Sequence, residues 1–150
     1  MPDLRELYQD VILEHSKAPR NYRVLAAPDR KAEGFNPLCG DRYIVYVELD
    51  GDAIREIAFQ GSGCAISKAS ASLMTQSVKG KTQAEVEELF GQFHKIVTGE
   101  APGNGKEPAM GKLSVFAGVS AYPVRVKCAT LAWHTLRAAL AGDRESVSTE

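Results

Sequence analysis

The chain has 150 residues, of which 44% are hydrophobic and 25% charged, with a formal net charge of −1. That length fits one domain, read as residues 1–150, with enough apolar content for a buried core. The near-neutral balance gives no bulk electrostatic attraction to nucleic acid or an anionic membrane, and no apolar run approaches the roughly 20 residues of a membrane span.

The N-terminal residues Met1-Pro2-Asp3-Leu4-Arg5-Glu6 are charged and lack the apolar core of a signal peptide, so a cytoplasmic protein is expected. Asp3 can cap a helix to about Ser16, with Leu4, Leu7, Val11 and Ile12 at helical spacing and Tyr8 adjoining; Pro19 ends it. Residues 20–36 carry Pro28, Gly34 and many charges, and read as an irregular connector. The period then changes to two. Tyr43, Val45, Val47 and Leu49 alternate with Ile44, Tyr46 and Glu48, Asp50-Gly51 marks a turn, and Ala53 to Gln60 returns as a second strand.

The return strand leads into Gly61-Ser62-Gly63-Cys64 and a small-residue stretch, Ala65 to Met74, that suits a helix packed closely on a sheet. Gly80 stops that helix, and Thr82-Gln83-Ala84-Glu85 is a capping box for another that runs to about Val97. Residues 98–111 read as a long loop, and a short helix is expected at about Lys112 to Val119. Pro123 suits the first turn of a last helix ending near Gly142, followed by a loose polar tail. The pattern predicts an α+β fold, with an antiparallel sheet of about three strands covered on one face by helices.

The three cysteines are Cys39, Cys64 and Cys128. An odd number in a reducing compartment argues against a disulfide framework and for metal or sulfur chemistry. Cys39 and Asp41 precede the first strand of the hairpin, and Cys64 follows the second, so both loops lie at one hairpin end. Gly40 lets the backbone bend so that Cys39 and Asp41 can reach one ion. Cys64 falls at a helix N-terminus, where free N–H groups and the helix dipole favour a thiolate. Cys128 lies at the start of the last helix between Arg125, Lys127 and an apolar face containing Val124 and Leu131, where it can serve chemistry or simply pack. Three sulfurs and a carboxylate are sufficient for four-coordinate zinc or for an iron–sulfur site.

The remaining candidates are weaker. His15, His94 and His134 lack a metal-type partner at short spacing and read as structural or surface residues. A Cys–His nucleophile pair lacks a recognisable oxyanion or orienting partner. Gly61-Ser62-Gly63 is not followed by the Lys-Ser/Thr of a phosphate loop.

Over nearly its whole length the chain resembles the iron–sulfur cluster assembly scaffold family of the IscU/NifU N-terminal type, and most closely its SufU branch. The residues that carry this are Leu7-Tyr8 to Ile12, His15, Pro19-Arg20-Asn21, Asn36 to Asp41, Gly61 to Met74, and Arg125-Val126-Lys127-Cys128-Ala129. Two departures choose the branch. Lys127 stands where IscU-type scaffolds have a His before the third cysteine, and Ala121-Tyr122-Pro123-Val124-Arg125 replaces their Leu-Pro-Pro-Val-Lys chaperone motif. The longer stretch between about Gly99 and Tyr122 agrees with the SufU branch.

The resemblance implies Zn²⁺ held by Cys39, Asp41, Cys64 and Cys128. It further implies sulfur transfer from a SufS-like cysteine desulfurase to Cys39, after a ligand from that enzyme replaces Cys39 on the metal. Arg125 and Lys127 are expected to orient Asp41 or stabilise the thiolates. The alternative is a scaffold that assembles a [2Fe–2S] cluster on the same ligands and hands it to downstream assembly or apo-proteins. A third reading is a binding domain with a purely structural zinc.

Overall fold

The computed structural model describes residues 4–37, 40–98, 116, 119, 123–141 and 147–148. In chain order the elements are α1 (Leu4–Lys17), β1 (Arg30–Asn36), β2 (Asp41–Asp50), β3 (Ala53–Ser62), α2 (Ala65–Val78), α3 (Gln83–Val97), α4 (Pro123–Leu140) and β4 (Val147–Ser148). The expected hairpin is β2–β3, paired antiparallel from Asp50↔Ala53 to Arg42↔Ser62. The fold is α+β, with three long antiparallel strands packed against helices.

The connector expected at 20–36 is corrected in its second half, because Arg30–Asn36 forms β1 and pairs antiparallel with β2 from Arg30↔Val47 to Asn36↔Asp41. Its charged residues are tolerated because alternate side chains leave the core. Ala32, Gly34 and Asn36 are buried, whereas Arg30 and Lys31 are exposed. Beyond α4, Val147–Ser148 add to the sheet as β4, parallel to β1 at Gly34 and Phe35, giving the order β3-β2-β1-β4. The helix expected at 112–119 lies almost wholly outside the described residues. Phe116 and Val119 are described and buried, with Phe116 edge-on to Phe93 at 5.7 Å.

One sheet face carries the main core. Tyr43, Val45 and Val47 of β2 and Ile57 and Phe59 of β3 meet Leu73 and Met74 of α2, Phe93 of α3 and Leu131, Trp133 and Leu136 of α4. Trp133 stacks on Phe93 at 4.6 Å and donates its indole N–H to Ser70 Oγ at 3.2 Å, so a large apolar surface is buried without an unsatisfied polar atom on the ring. The opposite face has a smaller cluster of Leu25, Tyr46 and Ala58. Helix α4 lies tight on β1 at Gly34. A Cβ there would stand 2.0 Å from Thr135 Oγ1 and 3.3 Å from Leu131 Cδ1, which only glycine avoids. Among the described residues no helix is long and apolar enough to cross a membrane.

Candidate metal centre

The sheet register builds the site. Asn36 pairs with Asp41, and Arg42 pairs with Ser62, so Gly63 and Cys64 emerge beside Asp41 as β3 ends. Asp41 shares the alternation of Tyr43 and Val45, which puts its carboxylate on the helix-covered face, 1% exposed. The Cys64 backbone N–H donates to Asp41 Oδ1 at 2.9 Å. This approach requires Gly63: an added Cβ would meet Ser67 Oγ at 2.5 Å, Tyr43 Oη at 2.6 Å and Asp41 Oδ1 at 2.7 Å.

Cys64 is the N-cap of α2, and its sulfur accepts from the Ser67 backbone N–H at 3.5 Å. A thiolate there meets the positive end of the helix dipole. Cys128 comes from a different element. It occupies the second turn of α4, which begins at Pro123 as the sequence indicates. Cys128, Leu131 and Thr135 lie along one helical face, so the contact that seats Thr135 and Leu131 on Gly34 also lowers Cys128 over the β1–β2 end. There the fully buried Asn36 donates its amide N–H to Cys128 Sγ at 3.8 Å.

Ligand atoms of Asp41, Cys64 and Cys128 thus lie within 4.8 Å of one another. The thiol of Cys64 is pulled down to about 5, first by a hydrogen bond from the Cys128 thiol and then by the two bonds from Ser67, against the opposing effects of burial and the Asp41 charge. Arg125, one turn before Cys128, faces both sulfurs within hydrogen-bonding reach, and the charge of Cys64 leads the rise of its own pKa. Lys127 is half-buried, and its carbonyl accepts from the Thr130 hydroxyl at 3.4 Å. Cys39 lies outside the described residues; its neighbours Asn36 and Gly40 are joined by a Gly40 N–H to Asn36 C=O bond of 2.8 Å.

The donor set fits zinc. Two sulfurs and a carboxylate oxygen are borderline-soft to hard donors of the kind zinc takes in tetrahedral sites, with Zn–S about 2.3 Å and Zn–O about 2.0–2.2 Å. Those bond lengths place ligand atoms roughly 3.5–3.8 Å apart in a tetrahedron. The three ligand atoms lie within 4.8 Å of one another, near that spacing.

The NifU-like N terminal domain family matches residues 7–129, a span that contains every residue of this cluster. The chain belongs to that family. It is 39% identical over 139 residues to the zinc-dependent sulfurtransferase SufU of Bacillus subtilis, covering 93% of this chain and 92% of that protein. It is also 39% identical over 137 residues to the iron–sulfur cluster assembly scaffold protein IscU of Streptococcus pyogenes, covering 91% of this chain and 84% of the other. A crystal structure from Fervidobacterium islandicum AW-1, of a candidate scaffold protein for the SUF system, superposes with a TM-score of 0.79 at 35% identity, covering 91% of this chain and 98% of that one.

Two site features of this family member were not legible in its motifs. Asn36 reaches the Cys128 sulfur, and Tyr43 reaches Ser67 beside Cys64, only through strand register. The period-two pattern puts Tyr43 in an alternating strand, but it gives no sign that its hydroxyl faces Ser67 at 2.8 Å. The three histidines lie away from this cluster in packing positions. His15 is buried with Nδ1 2.7 Å from Ser72 Oγ, and His94 and His134 both lie against the Phe90 ring.

Proposed function

We propose that this chain is a zinc-dependent sulfur acceptor in iron–sulfur cluster assembly, receiving sulfur from a SufS-like cysteine desulfurase. The observation that carries the reading is the convergence of Asp41, Cys64 and Cys128 from three separate elements onto one point. Zn²⁺ would be held by these three and by Cys39, which falls in sequence between the paired residues Asn36 and Asp41. When bound, the metal keeps the thiolates deprotonated and lowers their nucleophilicity.

The protein's own groups then divide the work. Asp41 and the Ser67 N–H fix Cys64, Asn36 and Arg125 attend Cys128, and Cys39 is the thiolate free to exchange. In the transfer, Cys39 Sγ bonds to the outer sulfur of the donor's persulfide, the donor's S–S bond breaks, and the donor cysteine leaves as a thiolate. The product is a persulfide on Cys39, with no net oxidation. Arg125, exposed beside both sulfurs, is placed to neutralise charge as thiolates gather at the site. Lys127 lies in the same turn of α4 and is the second cation assigned to favouring the thiolates.

A second reading, a scaffold that assembles a [2Fe–2S] cluster on the same ligands, is supported by the equal identity to the IscU relative. Elemental and labile-sulfide analysis of the anaerobically purified protein separates the two. The sulfur-acceptor reading expects about one zinc per chain and no iron. It also expects a sulfur adduct on Cys39, seen by mass spectrometry after turnover with a desulfurase and cysteine and lost in Cys39→Ala. Iron with sulfide and no adduct would reverse the preference.

A further inference from the structure

Asn36 is the one polar side chain in the buried series of β1, where it follows Ala32 and Gly34 on the face under α4. A buried amide is costly unless its donors are used. An asparagine that opens a turn commonly folds its side chain back onto the following backbone. Here the backbone itself makes the closing bond. The Asn36 carbonyl accepts from the Gly40 N–H at 2.8 Å, with Gly40 in the left-handed region at a φ of +74°. The side chain reaches another element: its amide N–H donates to Cys128 Sγ at 3.8 Å, across 92 positions of sequence. Asn36 is also the strand partner of Asp41. One residue is thus tied to two of the converging ligands, to Asp41 by register and to Cys128 by its side chain.

We infer that Asn36 is a positioning residue that fixes Cys128 as a standing ligand, independently of Cys39, so that the metal stays held while Cys39 exchanges. The close approach of Thr135 and Leu131 to Gly34 sets the depth of α4 over β1, and the amide then sets where the sulfur points. The sulfur accepts in this bond and remains an acceptor when it ligates a metal, so no proton has to move for the bond to serve. A neutral amide suits the place, because it donates without adding charge where a carboxylate and sulfurs already gather. A donor to a ligating sulfur restrains its direction and draws electron density from it, and such outer partners are worth a measurable share of metal affinity. The inference rests on the proposed zinc site.

The test is a double-mutant cycle on the full chain, read by chelator competition for Zn²⁺ and by the sulfur-to-metal charge-transfer band of the Co²⁺-loaded protein. Asn36→Ala is expected to weaken zinc binding about tenfold. The same loss should appear in a Cys39→Ala background. In a Cys128→Ala background the further loss should be less than about twofold, since the amide then has no sulfur to hold. The Co²⁺ band should move to longer wavelength in Asn36→Ala, because a sulfur relieved of its donor gives up electron density more readily. Asn36→Leu, which keeps the volume of the side chain, should repeat both effects and serves where the alanine variant does not fold. A structural role alone would lower the Tm of the metal-free chain and leave the band in place. That result, an unchanged affinity, a full tenfold loss persisting without Cys128, or no loss without Cys39 each overturns the inference and leaves the zinc reading standing. A wild-type chain that binds neither ion overturns both.

Discussion

Helix α2 carries two buried polar clusters, and they are built on opposite terms. Near its middle, Ser72 Oγ accepts from the Arg20 N–H at 2.8 Å and lies 2.7 Å from His15 Nδ1. Thr75 Oγ1 donates to the Ser72 carbonyl at 2.7 Å and accepts from Asn21 Nδ2 at 2.9 Å. Donors and acceptors alternate there, and the cluster ties α1 and the 18–23 segment to α2. At the N-terminus of α2, a carboxylate and two sulfurs crowd together, with Arg125 as the facing cation. Burial of charge-bearing acceptors is costly unless something positive joins them. The first cluster therefore reads as a structural joint, whereas the second has the donor set that the proposed zinc site requires.

Breaking each cluster should move a different observable. The largest effect is expected from Asp41→Ala. Zinc binding to a four-ligand site is worth roughly 10–16 kcal/mol, so one ligand accounts for about 3 kcal/mol, or on the order of 100-fold in affinity. A competition titration with a chromogenic chelator measures this, while the Tm of the metal-free protein should change little. Next is Gly63→Ala, which keeps every ligand residue in the chain but forces Ser67, Tyr43 and Asp41 apart. A loss of about 10- to 100-fold in zinc affinity is expected, as for disturbed outer-shell partners elsewhere. Wild-type affinity in this variant would show that the crowding at Gly63 does not matter.

Ser72→Ala should reverse the pattern. It removes the partner of the Arg20 N–H and of His15 Nδ1 at once and should cost about 1–3 kcal/mol in urea unfolding of the metal-free chain, with zinc affinity unchanged. A drop in affinity would mean that the two clusters are coupled along α2. Thr82→Ala, which breaks the capping box of α3 remote from both, should cost about 1 kcal/mol and serves as the scale for an ordinary local loss.

The smallest effect concerns pH. His134 lies below the usual imidazole range, chiefly because burial disfavours its charge, with His94 and Arg137 adding to this. The unfolded chain therefore takes up the proton first as pH falls. The stability contributed by the neutral ring is complete above about pH 6.5 and is lost as pH falls from there through the folded value. Comparing Tm at pH 7 and pH 5 should give a shallower fall in His134→Gln than in the wild type. An identical fall would assign acid sensitivity in that range to other groups.

Short-range pattern alone determined much of this protein. The alternation from Tyr43 to Leu49 with Asp50-Gly51 marked the hairpin, Thr82 and Glu85 marked the start of α3, and Cys64 was legible as a helix-start thiol because its glycines and the small-residue run adjoin it. Asp41, Cys64 and Cys128 were legible as ligand types, since few other roles need two lone cysteines flanked by glycine or cations. These signals survive in one sequence because each is written within a few residues, where local backbone preference decides the outcome.

What depended on long-range pairing was decided only by the tertiary structure. Arg30–Asn36 becomes a strand because the exposed edge of β2 satisfies its backbone hydrogen bonds, a gain its charged composition does not reveal. The register Asn36↔Asp41 and the packing of α4 on Gly34 then set which side chains stand behind the sulfurs: Asn36 behind Cys128, and Tyr43 with Ser67 behind Cys64. A shift of one residue in that register would turn each of these strand residues to the opposite face, so their roles belong to the assembled sheet and not to any local motif.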